Sequence, residues 1–406
     1  MKTRPFEIDR WAVWEAWQKV RSNQGSAGVD GESIEDFEKD LKNNLFKLWA
    51  RMSSGSYMPP PVLLVEIPKK GGGKRPLGIP TVSDRIAQMV VKQAIEPDID
   101  KIFYEDSYGY RPKKSAIEAV GKCRERCWQY NWVLDLDIKG FFDNIPHDLL
   151  MKAVEKHTKC KWHLLYIKRW LEAPVQSRNG EQTERPKGTP QGAVISPLLA
   201  NLFLHYCMDS WLKLKYPQCP FERYADDAVI HCRTEAEAQE LKERLGKRLE
   251  ECGLQMHPEK TKIVYCKDTN RKEDYPNKKF DFLGYGFQPR ETRNKKGQYF
   301  VGFTPAVSDK SSKSIREKIR RSKTLQATDS EIPEIAKELN PKLRGWINYY
   351  GKFCKSKLAE TLKAVKVRLI SWAQRKYKKL HGKYQAAMDW VEKMQISRPR
   401  LFVHWA

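Results

Sequence analysis

The chain has 406 residues, with 75 Lys+Arg against 51 Asp+Glu and a formal net charge of +24. That length accommodates two or three domains at roughly 100–200 residues each, and a chain this basic repels itself when compact unless a polyanion, most commonly nucleic acid, matches the excess. Composition leaves a merely basic, ribosomal-type protein open but argues against a membrane protein, because mean hydropathy is −0.70 and no apolar run approaches the ~20 residues that span a bilayer.

The first residues, MKTRPFEIDRW, lack the apolar core of a secretory signal. A helix is expected from Asp9 to Asn23, with Trp11, Trp14 and Trp17 stepping by three into the core. Gly25–Gly31 (GSAGVDG) breaks the chain before a second helix, Ser33 to Met52. Val62 to Lys69 reads as a strand, GGG at 71–73 as a turn, and Arg75 to Thr81 as the returning strand. GGGKR is no phosphate-binding P-loop: the motif's first glycine falls on Pro68, and Arg75 stands where Ser or Thr must follow the lysine.

Helices are expected over Val82–Ile95 and Ser115–Tyr130, a strand over Trp132–Ile138, and a helix opening at FFDNIPHDLL. Next come a helix over Val194–Tyr216, a strand–turn–strand around Phe221–Cys232 and a helix over Glu235–Cys252. Strands follow near Thr261–Tyr265 and Phe280–Phe287. Strands and helices interleaved without strict alternation point to an α+β fold, an antiparallel sheet backed by helices. After about residue 304 the composition turns helical and basic. Pro341–Lys383 holds thirteen Lys/Arg and one acid, Glu360, while Leu358, Leu362, Val365, Leu369 and Trp372 form one apolar face. The nine cysteines are scattered without a CxxC pair, which suits reduced thiols in a cytoplasmic protein better than a zinc site.

Two acidic sites carry the chemistry. In FERYADDAVIHC, Asp226 and Asp227 interrupt an apolar, β-prone run. Burying neighbouring carboxylates is costly unless a cation such as Mg²⁺ binds them; an ordinary Asp-Asp hairpin turn is the competing reading. In NWVLDLDIKGFFDNI, Asp135 and Asp137 recur at strand period. Two strands that each deliver a carboxylate can hold two metals about 3.5–4 Å apart, the arrangement that clamps attacking and leaving oxygens in phosphoryl transfer.

DIKGFFDNI, GTPQGAVISPLLANLFL and RYADD, in that order, resemble the palm motifs of reverse transcriptases of the group II intron lineage. SGSYMPPPVLLVEIPKKGGGKRPLGIPTVSDRIAQ resembles the family's fingers hairpin, and SYGYRPKKSAIEAV its next block. GLQMHPEKTKIVY and FDFLGYGF resemble the last palm blocks, LNPKLRGWINYYGKF the maturase thumb, and RPRLFVHW the end of the DNA-binding domain in endonuclease-lacking, class C-like members.

The resemblance implies a right-hand polymerase with an N-terminal extension (1–57) and fingers and palm (58–304). A helical thumb (305–365) and a small basic C-terminal DNA-binding domain (366–406) would complete it. It implies RNA-directed DNA synthesis with Asp137 as first metal ligand and Asp226 as second, Asp227 beside it. Two Mg²⁺ are expected, with Mn²⁺ able to substitute. Phe142 resembles the steric gate against a 2′-OH, Lys69 and Arg75 the grip on the incoming dNTP, and Gln191 and Lys260 further nucleotide contacts. On the residues alone Phe142 reads first as apolar core, and a solvated hairpin tip is the competing reading of Lys69 and Arg75.

Arg344, Trp346, Tyr349 and Lys352 interleave rings with cations, as does the RKYKK string with Arg375, Lys376, Lys378 and Lys379; both suit nucleic-acid binding, although the tryptophan suits a core as well. The expected partners are RNA template, DNA primer, dNTPs, the protein's own group II intron RNA and target DNA, with no membrane. Since the sequence stops at Ala406, no endonuclease extension is expected. A domesticated enzyme of the same lineage serving phage defence or repair, and an RNA-binding splicing factor with a vestigial polymerase, remain open on these residues.

Overall fold

The computed structural model describes residues 5–68, 74–293 and 296–405, so Lys69 and the GGG turn lie outside the described residues. Helix α1 (Arg10–Asn23) starts at Asp9, whose carboxylate accepts the Trp11 amide at 3.0 Å. Its tryptophans do not share the core: Trp17 is fully buried, but Trp14 and Trp11 are 39% and 70% exposed. Each three-residue step falls short of a full turn, so Trp11 and Trp17 point about 120° apart. The single helix expected over Ser33–Met52 is two, α2 (Ile34–Lys39) and α3 (Leu41–Ser54), because Asp40 leaves helical geometry at φ −123°, ψ 43°.

Strands β1 (Val62–Pro68) and β2 (Lys74–Ile79) pair antiparallel, from Leu63 opposite Ile79 to Pro68 opposite Lys74. Helix α4 (Val82–Ile102) runs beyond the expected end and through Pro97. Pro97 is exposed, so the carbonyl left without an amide partner can face water while Ile99 continues the buried face. Helix α5 (Ala116–Gln129) leads to β3 (Trp132–Leu136), which stops one residue before Asp137. The next helix is also divided, into α6 (Phe141–Asn144) and α7 (His147–His157), with Pro146 at the junction.

After α8 (Lys161–Glu172), the short β4 (Val175–Gln176) and β5 (Gln182–Thr183) extend the first hairpin into a sheet of order β2-β1-β4-β5, in which β1 and β4 run parallel. The Val194–Tyr216 helix resolves into α9 (Ser196–Leu204), a π-helical turn (His205–Asp209) and α10 (Ser210–Lys215). Strands β6 (Phe221–Tyr224) and β7 (Asp227–Cys232) form the expected hairpin, followed by α11 (Glu235–Glu251) and β8 (Lys262–Tyr265). The expected Phe280–Phe287 strand is a hairpin instead: β9 (Phe280–Phe282) turns at Leu283 and Gly284, both at positive φ, into β10 (Tyr285–Arg293). Strand β11 (Tyr299–Val307) pairs with β10 along nine positions. Helices α12 (Asp309–Arg320), α13 (Lys323–Gln326), α14 (Ile332–Tyr350), α15 (Lys355–Lys376) and α16 (Tyr384–Ser397) follow.

The α+β chain forms two compact units. The first comprises Met1–Ser115, Leu136–Ile230 and Gln239–Thr261; within it α1 packs on α4, which buries Val82, Ile86, Val90 and Val91. The second comprises Ala116–Asp135, His231–Ala238 and Lys262–Ala406; it contains the β3–β8 pair, the β11-β10-β9 sheet and the C-terminal helices. One apolar cluster runs from Val307 and Ile315 through Leu339, Leu362 and Trp372 to Phe402. The boundary expected at 365/366 therefore falls inside α15, with residues on both sides sharing that cluster.

Candidate active site

Within the first unit, Asp137 sits where β3 has just ended, and backbone bonds fix it there. Its carbonyl accepts the His257 amide at 2.8 Å, and its amide lies 3.3 Å from the Thr261 hydroxyl. The following residues are held by the Ile138–Met256 bridge and by Lys139 N–H donating to the Gln255 carbonyl at 2.8 Å. The same 255–261 loop brings Lys260, whose ammonium lies 3.5 Å from an Asp137 carboxylate oxygen.

The β6–β7 turn delivers the other acids. Tyr224 pairs with Asp227, so Ala225 and Asp226 form a two-residue turn, with Ala225 in the left-handed region at φ 58°. A buried network that sequence reasoning missed holds this turn. Arg223 is fully buried and donates to both Asp209 carboxylate oxygens, at 2.8 and 2.6 Å. Its remaining terminal nitrogen donates to the Asn201 side chain at 2.8 Å and to the Ala225 carbonyl at 3.1 Å. Asn201 in turn donates to the Gly109 carbonyl at 2.6 Å. A Cβ on Gly109 would stand 2.4 Å from the Ala225 nitrogen, so only glycine lets the two backbones approach this closely. The available signal was charge in apolar surroundings: Arg223 in a β-prone run, Asp209 in an apolar helix.

Burial pushes the Asp226 carboxyl above its usual range, and the negative charge of Asp137 adds to the effect. A backbone hydrogen bond and the cations of Arg75 and Arg223 oppose it. Asp137 and Asp226, 89 residues apart in sequence, are thus electrostatic neighbours; Asp227 follows in the same turn and is exposed. Tyr110 belongs to this neighbourhood too. Its hydroxyl is pushed up by burial and by the charges of Asp226 and Asp227. A carboxyl whose ionisation is opposed by burial and by a second carboxylate, with oxygen donors only, fits a hard divalent cation.

Arg75 and Gln191 meet directly. The Arg75 Nε donates to the Gln191 side-chain oxygen at 2.6 Å, and the Gln191 amide donates to Asp143 at 3.3 Å. The loop backbone lies against β2, with Gly78 N–H donating to the Gln191 carbonyl at 2.8 Å. Gly192, at φ 119°, has no room for a Cβ, which would meet the Gly78 oxygen at 2.6 Å. Phe142 is 8% exposed, its ring edge-on to Phe141, and its carbonyl accepts the Thr189 amide at 2.7 Å. Asp137, Phe142, Gln191, Arg75, Asp226, Asp227 and Lys260 all belong to the first unit.

The nucleic-acid candidates of the second unit divide by environment. Arg344, Lys352, Lys378 and Lys379 are exposed. Trp346 packs on the apolar cluster, and the Tyr349 hydroxyl donates to the Leu283 carbonyl at 2.8 Å. Arg375 donates to the Leu325 carbonyl at 2.6 Å, and the Lys376 ammonium pairs with Glu331 at 2.5 Å while donating to the Ser330 carbonyl. Within the RKYKK string the exposed Arg375 and the half-buried Lys376 thus tie to the α13–α14 connection. Among the described residues, no helix is long and apolar enough to cross a membrane.

Residues 67–287 match the family described as reverse transcriptase (RNA-dependent DNA polymerase), and residues 312–390 match the group II intron, maturase-specific domain. Protein YkfC of Escherichia coli (strain K12) is 31% identical over 299 residues, covering 63% of this chain and 77% of its own length. Group II intron-encoded protein LtrA of Lactococcus lactis subsp. cremoris is 33% identical over 203 residues, 49% of this chain and 33% of LtrA. The putative COX1/OXI3 intron 2 protein of Saccharomyces cerevisiae is 29% identical over 211 residues, 50% of this chain and 23% of that protein. The chain thus spans a third or less of the length of these two intron proteins. Reverse transcriptases use divalent metal ions, which suits the paired carboxylates, and the maturase-specific domain is an intron-RNA-binding element. The acidic turn, the carboxylate facing it and the two matched domains lead to one conclusion: the chain belongs to the group II intron reverse transcriptase/maturase family, a family of RNA-directed DNA polymerases.

Proposed function

We propose that the first unit extends a DNA primer on an RNA template by attack of the primer 3′-OH on the α-phosphate of a dNTP, with Asp137 and Asp226 holding two Mg²⁺ and Asp227 beside them. The observation that carries this reading is the electrostatic coupling of Asp137 with the half-buried Asp226. When bound, the metal pair supplies charge that eases deprotonation of the hydroxyl and stabilises the leaving pyrophosphate.

The protein's own residues do the rest. Arg75, already oriented by Gln191, offers its guanidinium to triphosphate oxygens, where charge-assisted bonds are short and strong. Lys69, six residues before Arg75 in the sequence, shares that role. Phe142, clamped through its carbonyl, presents a fixed ring to the sugar. Lys260 offers a proton to the departing pyrophosphate from its place beside Asp137. The exposed cations Arg344, Lys352, Lys378 and Lys379 bind phosphates of the RNA or of target DNA. Residues 1–57, 58–304, 305–365 and 366–406 would serve as N-terminal extension, fingers and palm, thumb and DNA-binding segment. We place the work in the cytoplasm, a setting that suits nine cysteines kept as thiols.

Purified Asp137→Ala and Asp226→Ala variants should lose Mg²⁺-dependent cDNA synthesis by at least ~10³-fold, as expected when a metal ligand is removed from a preorganised site. Undiminished synthesis by either folded variant would overturn the assignment.

A further inference from the structure

Asp84 and Gln88 stand one turn apart on α4 and have no role in the chemistry above. Both belong to the first unit and are 1% exposed. The Asp84 carboxylate accepts three hydrogen bonds. One oxygen takes the Tyr57 hydroxyl at 2.9 Å and the Trp170 indole N–H at 2.7 Å, and the other takes the Gln88 side-chain amide at 3.0 Å. The Gln88 side-chain oxygen then accepts the backbone N–H of Ile195 at 3.3 Å. Ile195 follows Gln191 by four residues and caps the start of α9.

We infer that Asp84 and Gln88 are positioning residues for nucleotide binding, which hold the 189–195 loop so that Gln191 meets Arg75 and Thr189 meets Phe142. The consequence for catalysis rests on the polymerase reading proposed above; the hold on the loop does not.

Hydrogen-bond polarity sets this chain of contacts. Burial pushes the Asp84 carboxyl up to about 6, against its three hydrogen bonds and the charge of Arg85. At neutral pH it is therefore ionised and can only accept. Gln88 must give its NH₂ group to Asp84, which leaves its oxygen, and not its nitrogen, facing the Ile195 amide. A neutral amide at position 84 would remove that bias. Gln88 could then turn over and set donor against donor, leaving the Ile195 N–H buried and unpaired.

The loop carries the hold to the nucleotide site through fixed contacts. Thr189 N–H donates to the Phe142 carbonyl at 2.7 Å, and the Thr189 hydroxyl shares a 2.6 Å hydrogen bond with Ser196, the residue after Ile195. The Gln191 carbonyl accepts Gly78 N–H at 2.8 Å, while its side chain meets Arg75 at 2.6 Å. At Ile195, then, α4 grips a loop whose other contacts are the Phe142 backbone and the Arg75 guanidinium.

The test compares full-length wild type with Asp84→Asn, Gln88→Met and the double variant Asp84→Asn/Gln88→Glu. The double variant reverses the pair: the new amide at 84 donates to a carboxylate at 88, whose other oxygen again accepts the Ile195 N–H. Hydrogen exchange of peptides covering 189–199 and dNTP kinetics at saturating primer–template are measured on protein that melts above the assay temperature. Each single variant should exchange these peptides at least ~tenfold faster than wild type, since a buried N–H has lost its acceptor. Each should also raise KM for dNTP at least ~fivefold while kcat changes less than about twofold. The double variant should return both readouts to within about twofold of wild type, which a role in packing alone would not produce. Wild-type exchange in both single variants would refute the hold on the loop. Faster exchange with unchanged KM would refute its link to nucleotide binding, and a double variant as impaired as the singles would refute the polarity. If wild type itself extends no primer, the polymerase reading fails while exchange still decides the hold on the loop.

Discussion

Phe142 illustrates how much of this site one residue can carry and how much the sequence conceals. Its place five residues after Asp137 was legible, because both lie in one short motif. Its fixation was not, since the Thr189 amide that bonds its carbonyl comes from a loop 47 residues later. The same limit applies to Arg75 and Gln191, which meet across 116 residues. In the other direction, the tryptophan pattern of α1 promised more burial than a 100° step per residue can deliver. If the Phe142 ring lies against the sugar, Phe142→Ala should raise rNTP use relative to dNTP at least ~tenfold in kcat/KM, equivalent to about 1.4 kcal/mol of lost discrimination. Phe142→Leu, which keeps most of the volume, should change it less. Because truncating a buried Phe costs ~3–5 kcal/mol, the comparison is made only on protein whose unfolding transition remains above the assay temperature. Equal discrimination in wild type and Phe142→Ala would return this side chain to a packing role.

At the scale of elements, the β6–β7 hairpin was expected from its β-prone run and the Asp-Asp pair, while its foundation was not. Arg223 and Asp209 both have zero exposed side-chain surface, and the π-helical turn that aims Asp209 has no periodicity of its own to read. A buried ion pair contributes little net stability against its desolvation, yet breaking one member leaves an uncompensated charge. Asp209→Ala should therefore cost about 3–5 kcal/mol in denaturant unfolding. The double variant Asp209→Leu/Arg223→Met should recover most of that loss. It should not recover primer extension, because the Ala225 carbonyl and Asn201 lose their donor. Recovery of both together would show that the network stabilises the unit without positioning the turn. The divided helices teach a related lesson: Asp40 and Pro146 stop helices that hydrophobic spacing alone would continue.

For the molecule as a whole, the net charge of +24 announced a polyanionic partner before any motif was read, and both matched domains agree with it. Composition cannot say which cations meet phosphate, because charge counts do not distinguish an anchor inside the protein from one facing solvent. The structure sorts them. Lys376 is tied to Glu331 and Ser330, and Arg375, itself exposed, gives one nitrogen to the Leu325 carbonyl; Arg344, Lys352, Lys378 and Lys379 are exposed. Each phosphate contact contributes close to 0.9 to the slope of log affinity against log salt on duplex DNA, and about 0.7 on single strands. Replacing the four exposed cations with Gln should therefore weaken RNA binding broadly and flatten that slope by up to roughly three units. Incorporation at low salt and saturating primer–template should change little, since these residues lie outside the unit that holds the carboxylates. Lys376→Gln should do the opposite, lowering thermal stability while leaving the salt slope as it was. Filter binding from low to physiological salt on both variants decides the matter: an unchanged slope in the quadruple variant would show that these exposed cations are a solvated surface rather than an RNA anchor.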